Sequence, residues 1–514
     1  MKENTLKQYW MFLGILFLVF IISSLYTFNE KLDLNGDNCY YYIYAKSLAT
    51  GKGYANLLSP GESPANNFPP GYSLLMVPLM LLTDSIVAQN FFGELFLLGS
   101  SILVFLMLIK LDFNKYLSLL VSILILTNEY NLKFATMMMS EMPFAFFCLF
   151  TMYHLLKEDL ETPFHTSKHF WFAIIGAVAA FHIRTQGIVL LVAVLSHYLF
   201  TFKWKRLIAS TISIVALSLP WILRNKMLGL ASSRYTDQIF MANSWNPEAG
   251  KITVSQLIGN AFTYFWNMLD SALPESIFCF LGVDEETTKG YLIIGILMLA
   301  IMIYGCWQLK KLRFFLLVYM FAGFAIVALW NSNSPGWNRH LICFLPLLIF
   351  IFYYGLISLV QKFIFKKGIN NTVSIISCVL MFMITFNALK PLHEQNKESF
   401  PIQYDNFISM CEDIKNTYND STIFCVRKPE LFYVYSGKKS VNYIYSLKQE
   451  EVIKNLVDSK VDYVILDQLG FSSTGKYLYP AIQKYAALFT PVYETSEPKF
   501  YLLKFDKAKA MSIH

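Results

Sequence analysis

Two aspartates, Asp33 and Asp37, stand just outside the first long apolar run, in the stretch LDLNGDNCYYYIYAKSLATGKGY. A carboxylate there can take a proton from an attacking hydroxyl if it lies within hydrogen-bond reach, as a general base does. It can equally cap the tyrosine-rich segment that follows as a helix. Three more places carry charge at the ends of apolar runs: Glu141 in MMMSEMPFAFF, Arg184 in FHIRTQG, and the pair Arg339–His340 in NSPGWNRHLICFLPLL. Arginine is the natural partner of a phosphate because its planar fork donates two parallel hydrogen bonds. Each of these residues also has a plainer reading. Asp37 fits a helix N-cap, Glu141 fits a helix dipole with Ser140 as cap, and each arginine fits a snorkelling side chain. His182 reads as a packed histidine.

The elements that must position these groups are membrane helices. Of 514 residues, 55% are hydrophobic, 17% aromatic and only 15% charged, with a mean hydropathy of +0.44. A soluble chain would carry about 25% charged residues. Apolar runs near twenty residues recur, without the period of two that a β-barrel needs. The net charge of +7 is scattered between these runs rather than gathered on a face, which excludes a nucleic-acid partner. Eight cysteines without CxxC or metal-ligand spacing give no support to a metal site. Cys411 and Cys425 could pair or stay reduced.

Eleven spans are expected, beginning near Trp10, Ser85, Tyr116, Glu141, His169, Gly187, Leu207, Tyr291, Phe314, His340 and Thr372. The first, preceded by Lys2 and Lys7, reads as an uncleaved signal anchor. Lysines and arginines crowd one alternate set of short loops, among them Lys110, Lys157, Lys203, Arg206, Lys311, Lys362, Lys366 and Lys367. That side should be cytoplasmic, with the N-terminus inside and the tail outside. The expected division is a membrane domain over 1–390, with long outer loops 29–84 and 224–290, followed by an extracytoplasmic α/β domain over 391–514. Strands are expected in STIFCVR, SVNYI, VDYVILD and KFYLLKF, and helices in SLKQEEVIKNLVDS and YPAIQKYAALF. This tail has no phosphate-cradling glycine loop and no nucleophile elbow, and reads as a scaffold or acceptor-docking module. Asp37–Ala49 is expected to lie in the membrane interface with its tyrosines at headgroup level. The segment after Pro69–Pro70–Gly71 is too short to span and suits an interfacial or re-entrant helix.

Taken in order, GDNCYYYIYAKSLATGKGY…FPPGYSLLMVP, MMSEMPFAFF, RTQG and WNRHLICFLP resemble the C-class (GT-C) membrane glycosyltransferases, and within them the protein O-mannosyltransferase and aminoarabinose-transferase relatives. The resemblance covers about the first 390 residues. It implies a sugar donor linked to polyprenyl phosphate, an acceptor that is a lipid, glycan or protein on the outer face, and a setting in membrane lipid; the charge distribution and the absence of an obvious eukaryotic targeting signal point to a bacterial inner membrane. It implies that Asp37 is the essential acid of the first outer loop and Glu141 the second acid. Phe68 stands where the aminoarabinose branch has lysine, which weakens a lipid A acceptor. No cofactor is implied; divalent metal use varies across the class, and no ligand cluster here supports it. The chemistry this suggests uses Asp37 as base, Glu141 to orient acceptor or sugar, and Arg184, Arg339 and His340 to bind the donor phosphate. A lipid-linked glycan polymerase, ligase or flippase is the competing reading.

Overall fold

The computed structural model describes residues 9–34, 36–230, 238–242, 250–281, 290–330, 338–365 and 368–512. Lys2, Lys7, Lys366 and Lys367 of the charge count lie outside them. The chain divides into two compact units. One comprises Met1–Lys31, Asn66–Tyr72 and Ser85–Asn396; the other comprises Leu32–Ala65, Ser73–Asp84 and Lys397–His514. The tail therefore does not form its unit alone, because most of the first long loop is counted with it.

The first unit is helical. Among the described residues six helices are long and apolar enough to cross a membrane: Trp10–Thr27, Ile86–Lys110, Trp204–Met227, Arg313–Trp330, Leu345–Phe363 and Asn371–Lys397. Shorter apolar helices include Lys115–Leu126, Lys168–Ile183 and Leu292–Gln308, and Glu141–Lys157 is a further helix. Trp204–Met227 turns Ile208, Ile212, Val215 and Leu219 outward, and Asn371–Asn387 does the same with Ile375, Val379 and Leu380. Such stripes would be costly in water and match hydrocarbon, so the chain is an integral membrane protein. The expected span starting at His340 is broken. A short helix, Asn338–Ile342, ends before Leu345–Phe363 begins with Pro346 in its first turn, where a missing N–H costs nothing. The 224–290 loop contains an amphipathic helix, Val254–Asn267, started by a reciprocal Thr253–Gln256 capping box.

Lipid gives no hydrophobic drive for helices to associate, so small residues and buried polar ties hold them. A Cβ on Gly305 would stand 2.7 Å from the Ile351 carbonyl oxygen, and one on Gly355 2.4 Å from that of Ile301, so Leu292–Gln308 and Leu345–Phe363 cross at backbone contact. At another helix end Glu158 is fully buried. It accepts from Arg206 Nε at 2.7 Å and from the Tyr198 hydroxyl at 2.7 Å, and Lys311 donates to the carbonyls of Leu156 and Glu158. Arg206 also donates to the carbonyls of Asp159, Leu160 and Thr162.

The second unit contains a five-stranded sheet of order β2-β1-β3-β5-β4. Its strands are β1 (Ile423–Cys425), β2 (Lys439–Val441), β3 (Tyr463–Leu466), β4 (Phe489–Glu494) and β5 (Tyr501–Phe505). β1 pairs in parallel with β2 and β3, while β5 runs antiparallel to β3 and β4. Alternation along the strands separates two faces. Cys425, Val464 and Leu503 join the core under Gln449–Asp458, whereas Phe424 turns to Phe432 and Tyr463. Cys411 and Cys425 are free and buried, and burial holds both thiols well above their ordinary range.

Asp37–Ala49 belongs to this unit, and its environment differs from the interfacial one expected. Cys39, Tyr41, Tyr42, Ile43, Tyr44 and Ala45 are all buried. The Tyr42 hydroxyl donates to the Asp84 carbonyl at 3.0 Å, Tyr44 packs on Tyr54 at 4.8 Å, and Ser73 donates to the Tyr41 carbonyl. Tyrosine periodicity does not distinguish protein neighbours from lipid headgroups, and here the neighbours are protein.

Arg206→Met should leave Glu158 buried with its charge uncompensated and cost about 3–5 kcal/mol. Thermal unfolding of the detergent-solubilised protein would check it, and Lys205→Met nearby on the same helix should be close to neutral.

Candidate active site

Glu141 opens the Glu141–Lys157 helix and is fully buried. Its Oε1 receives Arg339 Nε at 2.9 Å and stands 3.0 Å from Arg184 Nη1. One carboxylate oxygen thus bridges two guanidinium groups that are 155 residues apart in sequence (339 − 184). The helix-dipole reading is insufficient for such a residue. Ser140 makes no side-chain cap; its hydroxyl instead accepts from Arg184 Nη1 at 2.8 Å. Arg184 Nε donates to Gln186 Oε1 at 2.9 Å, and the same oxygen takes the Cys343 thiol at 3.3 Å. Gln186 and Cys343 therefore complete a set that sequence alone did not single out, although both lie in the stretches quoted for their neighbours.

The backbone explains why the arginines sit here. Arg184 is the extended residue that ends Lys168–Ile183, and Thr185–Gly187 turns the chain into Ile188–Phe200. Gly187 has an ordinary helical φ of −60°, but a Cβ on it would come within 2.4 Å of Phe181 Cα. Gly71, after the double proline, would meet the His182 backbone at 2.6 Å. The Pro-Pro-Gly turn is therefore pressed against the helix end that carries Arg184. Arg339 projects from the short Asn338–Ile342 helix, so the break in the expected span is what places it.

Two guanidinium groups thus converge on one carboxylate oxygen, and guanidinium forks are natural ligands of an anionic oxygen. Glu141 Oε2 is buried and has no hydrogen-bond partner among the described residues. Among the described residues the His340 ring makes no hydrogen bond; it packs edge-on against Trp330 at 5.9 Å, and the His340 carbonyl accepts the Cys343 thiol. An apolar groove of about 410 Å³ lies between Val254–Asn267 and Arg313–Trp330, lined by Ile258, Phe262, Phe265, Phe321, Phe324 and Leu329. Among the described residues no group of three or more His, Cys, Asp or Glu could hold a metal ion.

Asp37 lies in the other unit, as the first residue of its helix rather than the cap. The cap is Gly36 at φ +99°, a conformation that favours glycine. Asp37 is half-buried, and Asn38 Nδ2 donates to the Asp33 carbonyl at 2.8 Å. The loop before it is held by the residues that follow β1. Lys428 Nζ donates to the Leu34 carbonyl at 3.2 Å and pairs with Glu430 at 3.5 Å, and a Cβ on Gly36 would stand 3.0 Å from Glu430 Oε1.

A family model described as dolichyl-phosphate-mannose-protein mannosyltransferase matches residues 76–230, a segment holding Glu141 and Arg184. Among solved structures, ArnT from Cupriavidus metallidurans in the apo state matches with a TM-score of 0.59 at 11% identity, over 98% of this chain and 98% of its own. The same enzyme bound to undecaprenyl phosphate matches with a TM-score of 0.57 at 11% identity, over 96% and 97%. The chain has the GT-C fold. The likeness read from four short motifs is borne out, and the aligned length continues through the tail, beyond the 390 residues on which those motifs rest. Arabinofuranosyltransferase AftD from Mycobacteria aligns over 96% of this chain and 40% of its own, at a TM-score of 0.49 and 10% identity. No individually curated protein matches by sequence.

Gly187→Ala should force the turn open, cost about 1–3 kcal/mol through overpacking and displace Arg184. Gly14→Ala, where a Cβ would meet nothing within 4 Å, should be neutral or slightly stabilising. Comparing the unfolding temperatures of the two variants tests the close approach.

Proposed function

We propose that this GT-C protein is a glycosyltransferase that moves a sugar from a polyprenyl-phosphate carrier to a hydroxyl of a lipid, glycan or protein acceptor at the outer face of the membrane. The observation that carries this reading is the convergence of the Arg184 and Arg339 guanidinium groups on Glu141 at helix ends in a GT-C fold. The donor is a phosphodiester that becomes a more highly charged phosphate monoester as the sugar leaves, and guanidinium forks at fixed angles suit that growing charge. The apolar groove beside Val254–Asn267 suits an isoprenoid chain. ArnT, a protein of this fold, binds undecaprenyl phosphate, which supports a polyprenyl carrier here.

In the proposed reaction the acceptor oxygen attacks the anomeric carbon, the bond from that carbon to the phosphate oxygen breaks, and polyprenyl phosphate leaves. Asp37 takes the acceptor's proton. Arg184 and Arg339 stabilise the charge that grows on the departing phosphate. One base and no evident nucleophile make this a single displacement with inversion. Glu141 holds both guanidinium groups through Oε1, which makes it a positioning residue for the phosphate site; its Oε2 leaves an acceptor for a sugar or substrate hydroxyl. The positive-inside pattern supports an N-terminus inside and a C-terminal unit outside, with eleven crossings and a bacterial inner membrane as the setting. His340, next to Arg339 on the same short helix, is proposed as a further member of the donor-phosphate site.

The decisive measurement is consumption of a panel of polyprenyl-phosphate sugars by purified protein. Wild type should consume one donor; Asp37→Asn should lose at least about a hundredfold in kcat with donor KM little changed. Near-wild-type turnover by a folded Asp37→Asn protein would remove the base assignment. Arg184→Ala should raise donor KM by about tenfold or more, the scale of a lost charged hydrogen bond. An unchanged KM would remove Arg184 from the phosphate site. Glu141→Gln should impair both KM and kcat, since it frees two arginines at once.

A further inference from the structure

The sheet of the second unit has a crevice at its parallel end. From β1 the chain turns into Pro429–Ser436 on the face of Phe424 and Phe432, which are 5.1 Å apart. From β3 it turns to the opposite face, where Leu478 and Ala481 join the core of Cys425 and Val464. Neighbouring parallel strands whose chains leave to opposite faces form a topological switch point, and ligands of open α/β sheets bind outside the carboxyl ends of strands at that point.

The residues just past those ends are Arg427 and Asp467. Arg427 Nε donates to Ser473 Oγ at 2.7 Å, and its guanidinium lies over Phe471 at 4.4 Å and near Tyr445 at 5.6 Å. Its two terminal nitrogens make no hydrogen bond among the described residues, so the fork is held flat with its donating edge available. Asp467 does not consume that edge; it accepts from Leu469 N at 3.2 Å and from the Thr474 hydroxyl at 3.3 Å. Burial pushes the Asp467 carboxyl above its ordinary range, while the bonds from Leu469 and Thr474 and the nearby Arg427 draw it back down. Tyr445 is half exposed and stacks on Tyr477 at 5.3 Å with 11° between planes, giving a flat aromatic surface beside the arginine. Asn442 donates to the Tyr445 hydroxyl at 3.3 Å, while its Oδ1 is buried without a partner among the described residues.

We propose that this crevice is an acceptor subsite that binds an acidic saccharide, a sugar ring bearing a carboxylate or a phosphate. The fork of Arg427 matches either anion bidentately. The C–H edges of a pyranose carry partial positive charge and favour the negative face of an aromatic ring such as Tyr445. The inference rests on the glycosyltransferase reading for its choice of a sugar, and on the neighbouring residue for its choice of acceptor over donor. Lys428 holds the Leu34 carbonyl, three residues before Asp37, so the residue next to Arg427 braces the loop of the proposed base.

The test is binding to the full-length protein in detergent, without donor, by calorimetry. The probes are a glucuronic acid oligosaccharide, glucose 1-phosphate and a neutral gluco-oligosaccharide. At least one acidic probe should bind about tenfold or more tightly than the neutral one, and Arg427→Met should erase that preference. The carboxylate and phosphate arms identify the anion. Tyr445→Ala, at an exposed position, should keep the wild-type unfolding temperature and weaken binding several-fold, so it decides the matter if Arg427→Met fails to fold. Equal affinity for neutral and acidic probes, no binding of either acidic probe, or wild-type affinity in both variants would overturn the subsite. Asp37→Asn should bind normally. Intact binding alongside transfer that ignores Asp37 would remove the base assignment and leave the subsite standing.

Discussion

A single carboxylate oxygen organises the membrane unit's candidate site. Glu141 Oε1 receives Arg339 and Arg184 together, and this bridge explains several features that otherwise look unrelated. It gives a reason for a fully buried glutamate at a helix start, for an arginine in a tight turn, and for the interruption that separates Asn338–Ile342 from Leu345–Phe363. Removing Glu141 would take from both guanidinium groups the carboxylate they share, a change costing several kcal/mol. The three residues therefore stand or fall as a set. The shared carboxylate fixes the direction of both guanidinium forks, which is the kind of preorganisation that charge stabilisation needs.

The close approaches of glycine serve the same end. Gly187 and Gly71 have no side chain where one would strike the backbone at Phe181 and His182. The Pro-Pro-Gly turn and the RTQG turn are thereby locked onto the helix terminus that supplies Arg184. Preorganisation of this kind matters for charge stabilisation, because donors already aimed at a developing charge need no rearrangement when it forms. Elsewhere in the unit, Glu158 with Arg206, Tyr198 and Lys311 ties helix ends in a second buried knot, which has the same physics and no evident catalytic use.

The second unit combines segments that are far apart in sequence. Lys428 and Glu430 brace the loop before Asp37, Ser440 N donates to the Leu58 carbonyl, and Lys439 pairs with Glu62. An aspartate proposed as a base is thus braced by the residue next to Arg427, at the edge of the crevice between β1 and β3. If an acidic acceptor sugar sits at that edge, recognition and proton removal share one rigid support, which limits the loss of orientation that a mobile loop would cause.

Composition and charge spacing alone determined that this is a helical membrane protein, because twenty apolar residues in a row have few other uses. Short motifs determined the GT-C likeness, and they also named Asp37, Glu141, Arg184 and Arg339, since charge at the end of an apolar run is costly enough to stand out. What the sequence left open was contact. It could not distinguish Glu141 as a dipole partner from Glu141 as a bridge, because that depends on residues 43 and 198 positions away being brought to one point. It placed Asp37–Ala49 at the lipid interface, because a tyrosine looks the same in sequence whether it faces headgroups or Asp84 and Tyr54. It ran a span through His340, where only packing reveals the break. The partition of the chain, with Leu32–Ala65 counted beside the tail, also came from tertiary structure, because hydropathy records what a segment dissolves in and not what it packs against.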